Sequence, residues 1–300
     1  MTGWVEEFCA RELGAAPVEL LLSAELVSDV RAVRLDDGRH VVLKARAAEK
    51  ARRAASCVEA QRVVAEQGFP CPRPLTGVVL VADRAVHAEE WLPGGAMLRG
   101  SGAEAAAACA SLLAELMALL DRVTVDPPVP NPDWVRWDHD GPGLFAPNPR
   151  HDALAAGAAL PAVIDGTALR VRERMRRSSL PPVLGHADWE AQNLRWQDDR
   201  PYAVHDWDSL AWLPEAAIVG AAAGAFASQE TPTLAPVVSS AAFLDAYGRP
   251  LTDEELEIAW AASLWPALHN ARGELLYAQP PVALAALQEQ VEERLRLAGA

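Results

Sequence analysis

The sequence of 300 residues predicts an α+β fold in two lobes: a small antiparallel sheet with one main helix over residues 1–92, and a mostly helical lobe over 93–300. Three observations carry this. Apolar runs of strand character fall at 18–22, 30–35 and 40–43, the last two joined by the turn Asp36-Asp37-Gly38. An alanine-rich helical run over 48–67 follows and is stopped by Gly68, with Pro70 just beyond. Past residue 100 most apolar patterns have helical spacing, apart from one predicted hairpin of 194–197 and 202–205 split by Gln197-Asp198-Asp199-Arg200-Pro201.

In order, residues 1–16 read as a short amphipathic helix with Trp4, Val5, Phe8 and Leu13 on its apolar side. The turn between the first two strands, Ser23-Ala24-Glu25-Leu26-Val27-Ser28-Asp29, contains no glycine. Beyond the 48–67 helix, strands are expected at 72–81 and 85–91, the second running into Pro93-Gly94-Gly95. Ser101 to Glu104 reads as a capping box opening a helix through Leu120, with Leu113, Leu116, Met117 and Leu120 on a core face. Residues 126–149 are irregular and rich in Pro, Trp and Asp; Trp134 and Trp137 either roof a site or pack as an ordinary loop. A helix pair over 152–178 ends in a basic face, Arg170, Arg172, Arg174, Arg176 and Arg177, read as solvated. An apolar helix starts at Ala216, Thr252 to Glu255 cap another through about Trp265 where Pro266 kinks or restarts it, and a last helix covers 282–297.

Composition narrows the functional classes. Hydrophobic content of 51% supports a sizeable core, and a formal net charge of -14 repels phosphate backbones and anionic lipid, so neither a nucleic acid nor a membrane is an expected partner. The longest apolar run, 216–227, is too short to span a bilayer. Cys9, Cys57, Cys71 and Cys109 have no metal-ligand or redox spacing and read as free, buried thiols. With Glu6 and Glu7 in a start that is neither basic nor apolar, no signal peptide is expected, and a cytoplasmic location fits.

The chemistry concentrates in 183–208. His186-x-Asp188 is followed by Asn193 and, after the hairpin, by Asp206 and Asp208. Phosphoryl transfer needs positioning and charge cancellation more than covalent help. Asp188 can orient or deprotonate a hydroxyl, and Asn193 and Asp206, brought together by the hairpin, offer hard oxygens of the kind magnesium prefers. Lysine is scarce here: 25 of the 27 basic residues are arginine, yet Lys44 stands at the end of the third strand. A compact ammonium suits the α- and β-phosphates of a nucleotide.

These residues, His186-Ala187-Asp188, Asn193 and His205-Asp206-Trp207, resemble the catalytic and metal-binding segments of the aminoglycoside phosphotransferase family, within the protein-kinase-like superfamily. Ala187 stands where the family usually has glycine. The resemblance implies a protein-kinase-like two-lobed fold, with Asp188 as the catalytic aspartate, Asn193 and Asp206 holding Mg2+, and His186 bracing the loop. It also implies that a helix glutamate pairs with Lys44: Glu59 lies in the family's phase, with Glu49 and Glu66 as rivals. Residues 87–95, including Glu89 and Trp91, resemble the hinge whose backbone holds the adenine edge.

The expected activity is transfer of the γ-phosphate of ATP or GTP to a hydroxyl of a small, amine-bearing molecule. Trp189, Glu190, Trp207 and Trp212 are candidate acceptor contacts, and Asp208 either reaches a second metal or binds substrate. The turn at 23–29 argues the other way, because Glu25 and Asp29 would repel a triphosphate unless Ser23 or Ser28 serves in place of glycine. That turn motivates the alternative of an inactive nucleotide-binding scaffold. A protein kinase is disfavoured because no Ala-Pro-Glu segment follows Asp206.

Overall fold

The structure, a computed structural model, describes residues 3–25, 28–155 and 160–300. The N-terminal part is a five-stranded antiparallel sheet of β1 (Pro17–Glu25), β2 (Asp29–Leu35), β3 (His40–Ala47), β4 (Val79–Val81) and β5 (Arg84–Glu90), in the order β1-β2-β3-β5-β4. Side chains alternate across a strand, and that period sorts this sheet. Val33, Leu35, Val41, Leu43 and Ala45 turn to one face and bury against Trp4, Val5 and Phe8 of the N-terminal helix α1 (Gly3–Phe8). Val30, Ala32, Val42 and Lys44 turn to the other and line a cleft. The one main helix of this lobe, α2 (Ala51–Glu66), follows β3.

The second lobe holds α3 (Ala103–Leu120), α4 (Pro149–Ala155), α5 (Ala162–Arg176), α6 (Glu215–Ala225), α7 (Val237–Ala246), α8 (Asp253–Leu276) and α9 (Val282–Leu297). Its core joins α3, α6 and α8 to the residues beneath the 183–208 stretch. Helix α3 is long and apolar enough to cross a membrane, but Leu112, Leu113, Leu116 and Leu120 are buried in this core. Helices α6 and α8 approach almost backbone to backbone at Gly220 and Gly224, where an added Cβ would sit 2.1 Å from the Ala259 carbonyl oxygen and 2.3 Å from that of Ser263. Arg294 of α9 is buried and donates to Ser263 Oγ at 2.7 Å and to the Ala235 carbonyl, tying α9 to α8.

Several expected boundaries change. The capping box at Thr252 and Glu255 forms, but α8 continues through Pro266 to Leu276 because its buried flanks fix both halves. Ser101 caps nothing; α3 starts at Ala103 with Gly102 as its N-cap. Residues 210–214, not foreseen as a strand, are β10 (Leu210–Pro214), paired antiparallel with β7 (Pro182–His186). The arginine face of α5 is only partly solvated: Arg172 donates to the carbonyls of Trp137, His139 and Gly143, and Arg174 pairs with Glu257. All four cysteines are free and buried.

Candidate active site

The expected hairpin forms as β8 (Leu194–Gln197) and β9 (Arg200–Val204), with β6 (Ala96–Met97) pairing on β8. Gly94 and Gly95 lead into β6 and press on this hairpin, since a Cβ at Gly94 would lie 2.9 Å from the Tyr202 ring. The amide of His205 donates to the Asn193 carbonyl at 2.9 Å, which sets Asp206 beside Asn193. Asp206 takes a left-handed backbone, φ 59°, a conformation aspartate tolerates better than most residues. Its Oδ2 accepts from Ser209 Oγ at 2.8 Å.

The loop ahead of the hairpin is held from inside. His186 is fully buried; its Nδ1 accepts from the Asp188 amide at 3.2 Å and its Nε2 faces the His205 carbonyl at 3.0 Å. Burial keeps the imidazole below its ordinary pKa, and the neutral ring therefore donates at Nε2 and accepts at Nδ1. Ala187, in the glycine position, has no left-handed backbone, and its carbonyl accepts from Trp134 Nε1 at 3.0 Å. Asn193 Nδ2 donates to the Asp188 carbonyl at 3.1 Å and to Asp188 Oδ2 at 2.9 Å. With both amide hydrogens committed, the Asn193 side-chain oxygen is left to a cation.

A cleft of about 730 Å³ separates the lobes. Leu22, Val30, Ala32, Val42 and Lys44 line it from the sheet, 90–94 from the segment that follows β5, and Asp188, Asn193 and Asp206 from the other lobe as its polar floor. Glu190, Gln192, Trp134, His269 and Asn270 also line it. Burial, then the charges of Glu190 and Asp206, push the Asp188 carboxyl well above the usual range. Burial also raises Glu190 to about 7, against the Gln192 amide that donates to it at 2.6 Å. Asp206 goes the other way: burial alone would raise it, but Lys44 and the Ser209 hydroxyl, with Arg46, hold it below its ordinary value. Asp206 is thus the standing anion of the floor.

Among the described residues no three His, Cys, Asp or Glu side chains converge as a metal cage. That suits magnesium, which is commonly bound through one or two protein oxygens together with substrate phosphates. The free oxygen of Asn193 and the ionised Asp206 fit such a cation.

Five expected site residues lie elsewhere. Glu59 is half-exposed and pairs with Arg62 at 2.5 Å, because the α2 face turned to the sheet is that of Ala60, Gln61 and Val64. Trp189 and Trp207 are buried in the core, their Nε1 atoms donating to the carbonyls of Cys109 and Val204. Trp212 lies in β10, packed on the core away from the cleft lining. Asp208 meets the buried Arg46 of β3, and its carbonyl accepts from Arg53 of α2 at 2.6 Å, so it staples the lobes. Of the candidate acceptor contacts, Glu190 alone lines the cleft, and Trp91 lines its edge as expected of the hinge.

The 23–29 turn is less acidic than its sequence. Arg31 pairs with Glu25 and, at 2.6 Å, with Asp29, which Arg84 also reaches at 3.2 Å. Ser23 accepts from Arg31, so it is occupied, whereas Ser28 lines the cleft. Leu26 and Val27 lie outside the described residues. Pattern reading missed Arg46, Arg53, Gln61, His269 and Asn270, none of which sits in a recognisable motif.

A family model described as the phosphotransferase enzyme family, APH, matches residues 21–250. A search of curated proteins by sequence gives no match. Among solved structures, an amicoumacin kinase in complex with AMP-PNP, Ca2+ and Ami aligns at TM-score 0.64 and 11% identity, over 93% of this chain and 88% of that one. A fructosamine-3-kinase homologue from Thermobifida fusca YX-ER1 aligns at 0.60 and 19%, over 97% and 98%. A thermostable mutant of the aminoglycoside phosphotransferase APH(4)-Ia, in ternary complex with ADP and hygromycin B, aligns at 0.56 and 17%, over 99% of both chains. At such identities the likeness carries the fold, which is the kinase-like one. The family match spans well over half of the chain: the protein belongs to the phosphotransferase enzyme family.

Proposed function

We propose that the cleft transfers the γ-phosphate of ATP or GTP to a hydroxyl of a small molecule that also carries an amine. The observation that carries this reading is the convergence of Lys44 from β3 with Asp188, Asn193 and Asp206 from the opposite lobe on one cleft, with the buried carboxyl of Glu190 in its lining.

The apolar roof of Leu22, Val30, Ala32 and Val42 accepts a nucleobase, and Lys44 meets its phosphates. Asn193 and Asp206 hold magnesium, which when bound neutralises charge on the β- and γ-phosphate oxygens. Asp188 accepts the acceptor's hydroxyl proton. Burial and the charges of Glu190 and Asp206 raise its affinity for a proton, the direction a general base needs. The hydrogen bond from Asn193 keeps Oδ2 oriented meanwhile.

For the acceptor, Glu190 supplies an anion to an ammonium and Trp134 an aromatic edge, while Gln192, His269 and Asn270 bind neutral hydroxyls. His269 is held at about 4 by burial and by neighbouring His151, so it contributes hydrogen bonds and not charge. The net charge of -14 draws cations toward the mouth. Two of the aligned structures hold a nucleotide together with a second small molecule, Ami in one and hygromycin B in the other, which agrees with a cleft of this size. The test is a transfer screen by 31P NMR with magnesium-ATP and magnesium-GTP over amino sugars and amino alcohols, each paired with its N-acetylated form. Transfer to free amines and not to acetylated partners supports the reading; equal transfer to both refutes the amine requirement.

A further inference from the structure

In kinase-like enzymes the lysine facing the nucleotide phosphates is positioned by a glutamate from the helix packed behind it, and movement of that helix switches the lysine. Helix α2 offers Lys44 no such carboxylate. Glu59 is turned to Arg62, and the rivals Glu49 and Glu66 are exposed. The α2 side chain that does enter this region is Gln61, fully buried and neutral.

The carboxylate comes instead from the sheet. Lys44 Nζ meets Glu89 Oε1 at 2.9 Å, and Gln61 Nε2 donates to Glu89 Oε2 at 3.0 Å and to the Pro72 carbonyl at 2.7 Å. In the β3–β5 ladder Lys44 stands opposite His87 and Val42 opposite Glu89, so ammonium and carboxylate are diagonal neighbours on the cleft face. We propose that Glu89 is the positioning residue for Lys44, taking over from β5 the part that a helix glutamate plays elsewhere, with Gln61 as its neutral brace. This rests on the reading of the cleft given above.

Three physical points favour Glu89 over a bystander role. Its carboxylate is 2% exposed and Lys44 7%, and a buried charge without a partner is strongly disfavoured. His87, 4.0 Å from Glu89, is no rival cation, because burial holds it neutral. Backbone ladder bonds fix the β3–β5 spacing, so Lys44 keeps its place whatever α2 does, and the strand that positions it runs straight into the nucleotide edge at 90–94.

The experiment measures binding of magnesium-AMP-PNP by calorimetry to the full chain and to Glu89→Gln, Glu59→Gln and the isosteric exchange Glu89→Gln/Gln61→Glu. We expect Glu89→Gln to weaken binding at least tenfold and Glu59→Gln to leave it within twofold. The exchange, which returns a carboxylate to the helix, should recover most of the loss. If Glu89→Gln does not fold, the exchange decides: binding within about fivefold of the parent supports the proposal and a loss beyond thirtyfold overturns it. Glu59→Gln weakening binding as much as Glu89→Gln also overturns it. No binding to the parent protein would refute the nucleotide site itself, an outcome distinct from these.

Discussion

Glu190→Gln removes a charge while keeping the shape and the acceptor that Gln192 Nε2 uses at 2.6 Å. In the folded chain burial and the nearby Asp206 raise Glu190 from 4.5 to about 7. An acid whose folded pKa lies above its unfolded one binds more protons when folded, so stability is lost as pH rises through that window. The gap of about 2.5 pH units, at ~1.36 kcal/mol each, amounts to about 3 kcal/mol by pH 8 and to nothing below pH 4.5. At roughly 2 °C per kcal/mol for a chain of this length, the variant should melt about 6 °C above the parent at pH 8 and level with it at pH 4.5. Thermal melts of both proteins across pH 4.5 to 8.5, without nucleotide or metal, read this directly. Parallel curves, or a gain largest in acid, would refute the placement of Glu190 as a buried anion beside Asp206. The same variant should raise KM for an amine-bearing acceptor more than it lowers kcat, because the lost contact is to bound substrate in both states.

Asp208→Ala leaves the buried Arg46 guanidinium without its carboxylate and should cost about 3–5 kcal/mol in urea unfolding, most of it regained in Arg46→Met/Asp208→Leu. Gly220→Ala sets a methyl against the Ala259 carbonyl and should lose about 1–3 kcal/mol or more as α6 and α8 separate, whereas Gly166→Ala, with open space around it, should not destabilise. Asp206→Asn keeps the Ser209 hydrogen bond but removes the anion that draws the cation, so the rise in Tm produced by magnesium-nucleotide should vanish; because Lys44 and Ser209 hold this carboxyl below its ordinary pKa, the apo Tm should also fall at neutral pH and approach that of the parent in acid.

The catalytic stretch was legible because its chemistry is local in sequence. His186, Asp188, Asn193 and Asp206 lie within 21 residues, and one hairpin suffices to bring them together. The two-lobed order was legible for a similar reason, since period-2 runs gave the sheet and helical runs the rest. Packing over long sequence distances was not. Glu59 sits two residues before Gln61, on the opposite side of α2 from the side chain that meets the sheet, a phase that only contact with Glu89 and Pro72 reveals. Trp189 and Trp207 flank the catalytic acids in sequence, yet their rings turn inward against His186, at 5.5 and 6.0 Å between centroids. Asp208 lies two positions from Asp206 and by sequence belongs with the site, but its partner Arg46 is 162 positions away, and no motif announces such a pair. The turn at 23–29 is hostile to phosphate by sequence, whereas in the fold Arg31 and Arg84 cover the carboxylates of Glu25 and Asp29.

The most direct measurement of the account is γ-phosphate transfer followed by 31P NMR for the parent protein and Asp188→Asn, each with magnesium-ATP and a hydroxylated amine. The account predicts magnesium-dependent transfer by the parent, a rate lower by about 10²–10⁴ in the variant, and nearly equal nucleotide affinity in both. Equal transfer rates in the two proteins, or nucleotide bound without transfer to any acceptor, would contradict it.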